Sequence, residues 1–389
     1  MAIIIQQQSL FNYNEIEKLG DLERLSLALN GIDDEQLMLR LEKRRGRGRN
    51  DYPIRAMWNS LIAMMVFGHK TIASLIRELK RNVQLRRMLG FDDNRGKRHL
   101  VPPERVYTGF LKLLEIEAGT LDEIFTGMAE KLRLLYPGFG MNLAGDGKYI
   151  DSYAKNRIKK ENKNAGNRAE HDAEYSKKEY LYTGTDGKEH IKKETHYGFK
   201  AHVICDVATE LPVAFSVTAA NGDERAEMTK LINALPEPMQ KNAQTIALDR
   251  GYDSIGMINT IKGAGIKPVV DIRNSWKNGE TTKQYKNTDI VYDYSGNVFM
   301  IEGDGSIQTK MKYEGYDEGK KCLRYSHNGK IYKLYINYDP RIFLPIARDS
   351  KKFARLYKGR TSIERLNGRL DRDFMFEDHC IRGLGKIKH

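Results

Sequence analysis

Apolar residues recur at three- and four-residue steps through the first third of the chain, and that spacing predicts helices. "MWNSLIAMMVFG" (57–68) follows Pro53 and ends at Gly68-His69, while "TIASLIRELK" (71–80) and "NVQLRRMLGF" (82–91) continue the period. "PPERVYTGFLKLLEIEAG" (102–119) opens on prolines that suit a helix N-terminus, and "LDEIFTGMAEKLRLLYPG" (121–138) closes the block at Pro137-Gly138. Residues 1–140 therefore read as an all-helical unit. The stretch "LEKRRGRGRN" (41–50) is basic and broken by glycine, so it reads as poor helix. Its Lys43–Arg49 run suits either a hook into a narrow minor groove or a solvated linker.

After Gly140 the period shortens. "MNLAGDGKYIDSYA" reads as a strand, and "HYGFKAHVICDVATELPVAFSVTAAN" as two strands about a turn at Ala208–Glu210. Between them, Lys155–Glu194 carries 11 basic residues with few apolar ones, and reads as a loop. "DERAEMTKLINALP" is a helix with Asp223 placed to cap it; "QTIALDRGY" is a buried strand, "SIGMINTIKGAG" a helix and "IKPVVDI" a strand. Strands in a meander, then helix and strand in alternation, describe a mixed α/β sheet. From Arg273 to Pro345 the texture is β-rich: it holds nine of the 21 tyrosines and two hairpin signals, "IVYDYSGNVFMI" and "LRYSHNGKIYKLYIN". One last helix starts near Asp349. The expected units are 1–140, 141–272, 273–345 and 346–389.

Charge changes this picture. The chain of 389 residues has a net charge of +13, an excess that points to a polyanionic partner, nucleic acid first. No apolar run reaches the 18 or so residues of a membrane span, and the opening "MAIIIQQQ" is not a signal peptide. The three cysteines are far apart, which suits a reducing compartment and neither a disulfide framework nor a zinc site. Ser350–Arg372 holds eight Lys or Arg against two acids, one of which, Glu364, lies within the basic run. Asp146 within the first strand, Asp249 at the end of "TIALD" and Glu364 on the basic helix together suit two-metal phosphoryl transfer, because hard divalent ions prefer carboxylate oxygens. On one continuous helix, Tyr357, Arg360 and Glu364 would share a face, with the cations neutralising phosphate. Asp151 is the rival first ligand, on the opposite strand face by parity. Asp206 reads as a turn residue, and His196 and His202 as structural. Gly368 suggests either close backbone approach or a weak helix end.

These residues resemble the DDE transposases of bacterial insertion sequences. "DGKYIDSYA" is similar to their first-Asp motif, "ALDRGYDS" to the second, and "YKGRTSIE" to a Tyr, two residues, Arg, three residues, Glu signature. The resemblance implies a ribonuclease-H-like catalytic domain with a β-rich insertion before the Glu helix, preceded by a helical N-terminal domain. It also implies Asp146 rather than Asp151, with Asp146, Asp249 and Glu364 as catalytic residues holding two Mg²⁺, for which Mn²⁺ can substitute. Tyr357, Arg360, Arg365, Arg369 and Arg372 are then the DNA contacts. The implied partners are double-stranded DNA, as inverted repeats and target, and a second copy in a homodimer on that DNA. The implied location is the bacterial cytoplasm, at the nucleoid. Two departures stand out: the family has a Lys seven residues after the Glu, where this chain has Asp371, and related chains continue past "RGLGKIKH". Both raise the alternative of a decayed transposase that binds DNA without cutting it.

Overall fold

The computed structural model describes residues 21–46, 51–91, 100–154, 170–183, 188–276, 279–303 and 307–388. Helices α1 (Asp21–Gly31), α2 (Glu35–Arg45), α3 (Ile54–Val66), α4 (Ile72–Arg81), α5 (Val83–Leu89), α6 (Glu104–Ile116) and α7 (Ala118–Leu135) come first. Leu25, Leu37, Leu41, Leu75, Leu79, Tyr107 and Phe110 fill the core of this block. Local chemistry sets the helix ends. Thr71 and Ser74 form a capping box at α4, the Asn82 side chain caps α5, and Gly90 at φ 91° ends it.

The expectation of poor helix after Leu41 is corrected, since α2 runs to Arg45. Its last turn is held from outside, by Arg44 on the buried Glu117 and by Arg45 donating to the Tyr52 carbonyl at 2.7 Å. Arg47 and Arg49 of the proposed hook lie outside the described residues.

A mixed sheet follows. It contains β1 (Asn142–Asp151), β2 (Glu174–Thr183), β3 (Glu189–Asp206), β4 (Pro212–Ala219), β5 (Thr245–Leu248) and β6 (Lys267–Val270). β1 lies between antiparallel β3 and parallel β5, β6 pairs parallel to β5, and β4 pairs β3. Helices α8 (Glu224–Ala234), α9 (Glu237–Asn242) and α10 (Ile255–Gly263) fill the connections around β5. Asp223 caps α8 as expected, accepting from the N–H of Arg225 at 2.9 Å. Among the described residues no helix is long and apolar enough to cross a membrane.

One expectation fails here. Of the segment read as a loop, Glu174–Thr183 and Glu189–Glu194 are strand: β2 pairs with the first half of an 18-residue β3. This ribbon is held by its ladder and by cross-strand pairs, such as Tyr175–Tyr197 with ring centroids 4.7 Å apart and Lys193–Glu179 at 3.1 Å. It has little buried face, so it leaves no apolar alternation to read.

The β-rich segment forms a four-stranded sheet of β7 (Thr282–Gln284), β8 (Ile290–Asp293), β9 (Val298–Glu302) and β10 (Ile307–Lys310). Beside it is a three-stranded sheet of β11 (Lys312–Asp317), β12 (Cys322–His327) and β13 (Lys330–Tyr335). Both hairpins form where the turn signals stood, with Asn328 at φ 46° and Gly329 at φ 74° in the second. Arg348 ties this segment to the main sheet by donating to the Val270 carbonyl at 3.1 Å.

The expected single last helix is two, α11 (Lys351–Lys358) and α12 (Thr361–Phe374), before a short α13 (Leu384–Lys388). Ser350 caps α11, accepting from the Phe353 N–H at 3.0 Å. At the junction the Arg360 N–H reaches Tyr357 O at 3.0 Å, an i to i−3 bond that tightens the turn. The cause is packing: a Cβ on Gly359 would lie 2.9 Å from a Val207 methyl and from Leu356 O. Gly359, not Gly368, is the close approach, since a Cβ on Gly368 meets nothing within 4 Å.

Opposite effects are expected at these two glycines. Gly368→Ala should stabilise by about 1 kcal/mol through helix propensity alone. Gly359→Ala should destabilise by roughly 1–3 kcal/mol through overpacking. Urea unfolding of both variants checks this, and stabilisation at residue 359 would contradict the packing account.

Candidate active site

The parallel register of β1 and β5 pairs Ala144 with Ala247 and Gly145 with Leu248, so Asp146 and Asp249 come next on adjacent strands. Each carboxylate is met first by its own backbone. Asp146 Oδ1 accepts from the Gly147 N–H at 2.8 Å, and Asp249 Oδ1 from the Gly251 N–H at 2.7 Å. The second bond caps a 3₁₀ turn, Arg250–Tyr252, which Arg225 on α8 also steadies by donating to the Gly251 carbonyl at 2.8 Å.

The electrostatics mark these acids as neighbours. Burial pushes the Asp146 carboxyl up to about 6; the Gly147 N–H opposes the rise, while Asp249 and Glu224 add to it. Tyr252 is fully buried behind them, and its hydroxyl makes no hydrogen bond among the described residues. Burial, then the Asp146, Glu224 and Asp249 charges, hold that phenol far above its usual range. Glu224 follows the cap of α8 and differs from Asp146: against burial, the Lys200 ammonium at 2.8 Å keeps it below the usual carboxylate value.

Glu364 stands on the first turn of α12 and is exposed, its carboxylate bound to Arg360 at 2.7 Å. Burial works against the Arg360 charge, but Glu364 more than offsets it and the guanidinium sits above its ordinary value, with Asp146 a further contributor. Tyr357 lies across the helix break, half-buried and stacked on Phe353 with centroids 6.0 Å apart. Burial, then the nearby Asp271, raises its phenol, and Asp249 contributes. The charges of Asp249 and Asp146 thus act on Tyr357 and Arg360 respectively, although one continuous helix does not carry the two residues.

The remaining cations of α12 have protein partners. Arg365 pairs with Glu210 in the β3–β4 turn, Arg369 lies 3.4 Å from the same carboxylate, and the exposed Arg372 pairs with Asp373 at 2.8 Å. Asp371, which seemed misplaced facing DNA, accepts from Lys148 of β1 at 2.8 Å.

Rivals fall away from the site. Asp151 is exposed and meets His196 at 3.1 Å. Asp206 is a turn residue, as expected, accepting from the Gly140 and Thr209 N–H groups. His202 meets Thr218 at 3.0 Å, and burial, with Lys200 beside it, lowers the imidazole to about 4. Asp253 binds Arg341 and the Arg273 N–H. Tyr252, Glu224 and Lys148 escaped the sequence reading. The signal for Tyr252 and Lys148 was their place within two or three residues of each aspartate, in "LDRGY" and "GDGKY".

Among the described residues, no three Asp, Glu, His or Cys side chains are gathered as a group that could hold a metal. Asp146 and Asp249 still suit a divalent cation in donor chemistry: two hard oxygen donors side by side, one raised by burial, next to an unpartnered hydroxyl. Glu364 is the donor held elsewhere, by Arg360.

No curated protein matches the chain. A family profile described as "Transposase DDE domain" matches residues 167–389, a span that includes Asp249 and Glu364 and begins after Asp146. The match covers more than half of the chain, and with the helical N-terminal block and the mixed sheet around β1 and β5 it places the protein in the DDE transposase family, with a ribonuclease-H-like fold.

Proposed function

We propose that this transposase binds the terminal inverted repeats of its own element, hydrolyses the 3′ ends and joins them to target DNA. The observation that carries the reading is the adjacency of Asp146 and Asp249 beside the basic helices α11 and α12. Asp146, Asp249 and Glu364 would hold two Mg²⁺, or Mn²⁺ in their place, which when bound would activate the attacking oxygen and stabilise the leaving one. Arg360 and Tyr357 orient the phosphate that lies against the aspartates. An exposed ion pair is worth about 0–1 kcal/mol, so Arg360 can exchange the Glu364 carboxylate for a phosphate and leave Glu364 open. Water then attacks phosphorus and the element's 3′ oxygen leaves as a hydroxyl. In strand transfer that hydroxyl attacks a target phosphorus and displaces the target's own 3′ oxygen. The partner is double-stranded DNA, held by a homodimer, with much of the repeat recognition in residues 1–140. Of the two features that raised the decayed alternative, Asp371 has a cationic partner within the chain, Lys148.

Asp249→Asn should abolish divalent-dependent cleavage of a duplex taken from the DNA flanking this gene. Binding of the duplex should stay equal or tighten, since a negative charge near phosphate is removed. Cleavage at the wild-type rate would exclude Asp249 as a ligand.

Asp146 yields a second expectation, read without any cleavage. Its folded-state value of about 6 lies above the ordinary 3.8, so the folded protein binds this proton more tightly than the unfolded chain does. Its contribution to stability is present at low pH and is lost as pH rises through about 6. Asp146→Asn should therefore raise stability at pH 7 by about 1–2 kcal/mol, and the gain should shrink toward pH 4. A variant less stable than wild type at pH 7 would contradict the burial of a charged carboxylate there.

A further inference from the structure

We infer that Lys148 is a positioning residue, whose ammonium ties β1 to α12 and so holds the helix carrying Glu364 in place beside Asp146. The inference rests on the roles proposed above for those two acids. Lys148 lies two residues after Asp146 and therefore on the same face of β1. Its Nζ donates to Asp371 Oδ2 at 2.8 Å and to Glu377 Oε1 at 2.5 Å, with the side chain 12% exposed. Asp371 comes two helical turns after Glu364, so the tie falls on the helix face that carries the carboxylate. Glu377 lies beyond the end of α12, where Met375 adopts φ 53°. One ammonium therefore grips both the last turn of the helix and the chain leaving it.

Among the described residues no other charged side chain of β1 reaches α12; Ser362 of its first turn meets Cys205 of β3 at 3.5 Å, and His379 beyond the helix meets the Asp151 carbonyl at 3.1 Å. The other oxygen of Asp371, Oδ1, is buried without a partner among the described residues. The second charged brace of α12, Arg365 and Arg369 on Glu210, runs to the β3–β4 turn and leaves β1 untouched. Ile363 and Leu366 pack the helix against Ala144, Ala201, Val203 and Cys205, which sets its distance from the sheet. Apolar contact is not directional, so sliding or rotation along β1 is resisted at Lys148. Without Lys148, Asp371 and Glu377 would be two neighbouring carboxylates with no cation between them, repelling each other and pushing the helix end outward.

The competing role, a direct phosphate contact, would require Lys148 to release both carboxylates, and the two roles separate by experiment. Lys148→Met should lower the single-turnover cleavage rate of the flanking-DNA duplex by roughly 10- to 100-fold, the scale of a small misplacement of a catalytic group. Duplex affinity should stay within about 3-fold, less than the loss of one phosphate contact brings. The double variant Lys148→Glu/Asp371→Lys should recover most of the rate, because the tie is re-formed with its charges exchanged. Hydrogen exchange of residues 366–374 provides a readout that needs no cleavage: Lys148→Met should speed it and the double variant should restore it. Unchanged exchange, or an unchanged rate in Lys148→Met, would overturn the inference. So would a rate lost in step with affinity and not recovered by the double variant. Should the wild type itself cut nothing, the exchange result would still decide the tie, and only the cutting function would fall.

Discussion

The rest of the site depends on the parallel register between β1 and β5. It brings Asp146 and Asp249 side by side, one as its strand runs on and the other as its strand ends. The register is enforced by packing on both sides of the acids. A Cβ on Gly145, one residue before Asp146, would lie 2.9 Å from both Leu248 Cδ2 and Met228 Cε. The two strands and α8 therefore close around a point where no side chain fits. A one-residue slip would carry Asp146 to the opposite face and bring a side chain into that contact. The antiparallel pairing of β1 with β3 then fixes the same strand from its other edge, with Asp146 opposite Val203.

Around that pair, the helix bearing Glu364 is set by charge as much as by its apolar face. Arg365 and Arg369 reach Glu210 on one side, and Lys148 reaches Asp371 and Glu377 on the other. The cations of α12 that read as a phosphate track are thus partly structural. On α11, Lys351, Lys352, Arg355 and Lys358 are all exposed. That row leaves a basic surface of α11 facing solvent. Exposed pairs such as Arg360–Glu364 cost little to break, so pairing within the free protein does not remove such an arginine from DNA binding.

Periodic burial was legible in the sequence and contacts without a period were not. Among the described residues, helices α3 to α7, the meander, the α8–β5–α10–β6 alternation and both hairpins of the β-rich segment follow from apolar spacing, caps and the Asn328-Gly329 turn, whereas α1 and α2 were not read individually. Asp249 was readable because a carboxylate after a short buried strand has an obvious position. The β2–β3 ribbon was not, because it is stabilised across strands and has little face to bury. The break at Gly359 depends on Val207, about 150 residues away in sequence, and no local pattern records that contact. Asp371 misled for the same reason: next to "LNGRL" it is a carboxylate on a DNA-facing helix, and only the fold supplies Lys148.

The distribution of partners among the acids carries the last step of the argument. Glu224 is matched by Lys200, Glu364 by Arg360, Asp271 by Arg250, Asp253 by Arg341, and Asp371 and Glu377 by Lys148. Each charge near the centre is balanced from within the chain, as burying carboxylates demands. Asp146 and Asp249 are the exception. Among the described residues neither makes an ion pair, and what meets their oxygens is a backbone N–H one or two residues on. Burial with Asp249 and Glu224 nearby leaves Asp146 raised, so the fold tolerates two neighbouring carboxylates without an ion pair where β1 and β5 run parallel. The acids named around these two have ion-pair partners while these two have none among the described residues, which leaves their oxygens open to an external cation. That imbalance makes the pair unfavourable as structure and well suited to the chemistry of its family.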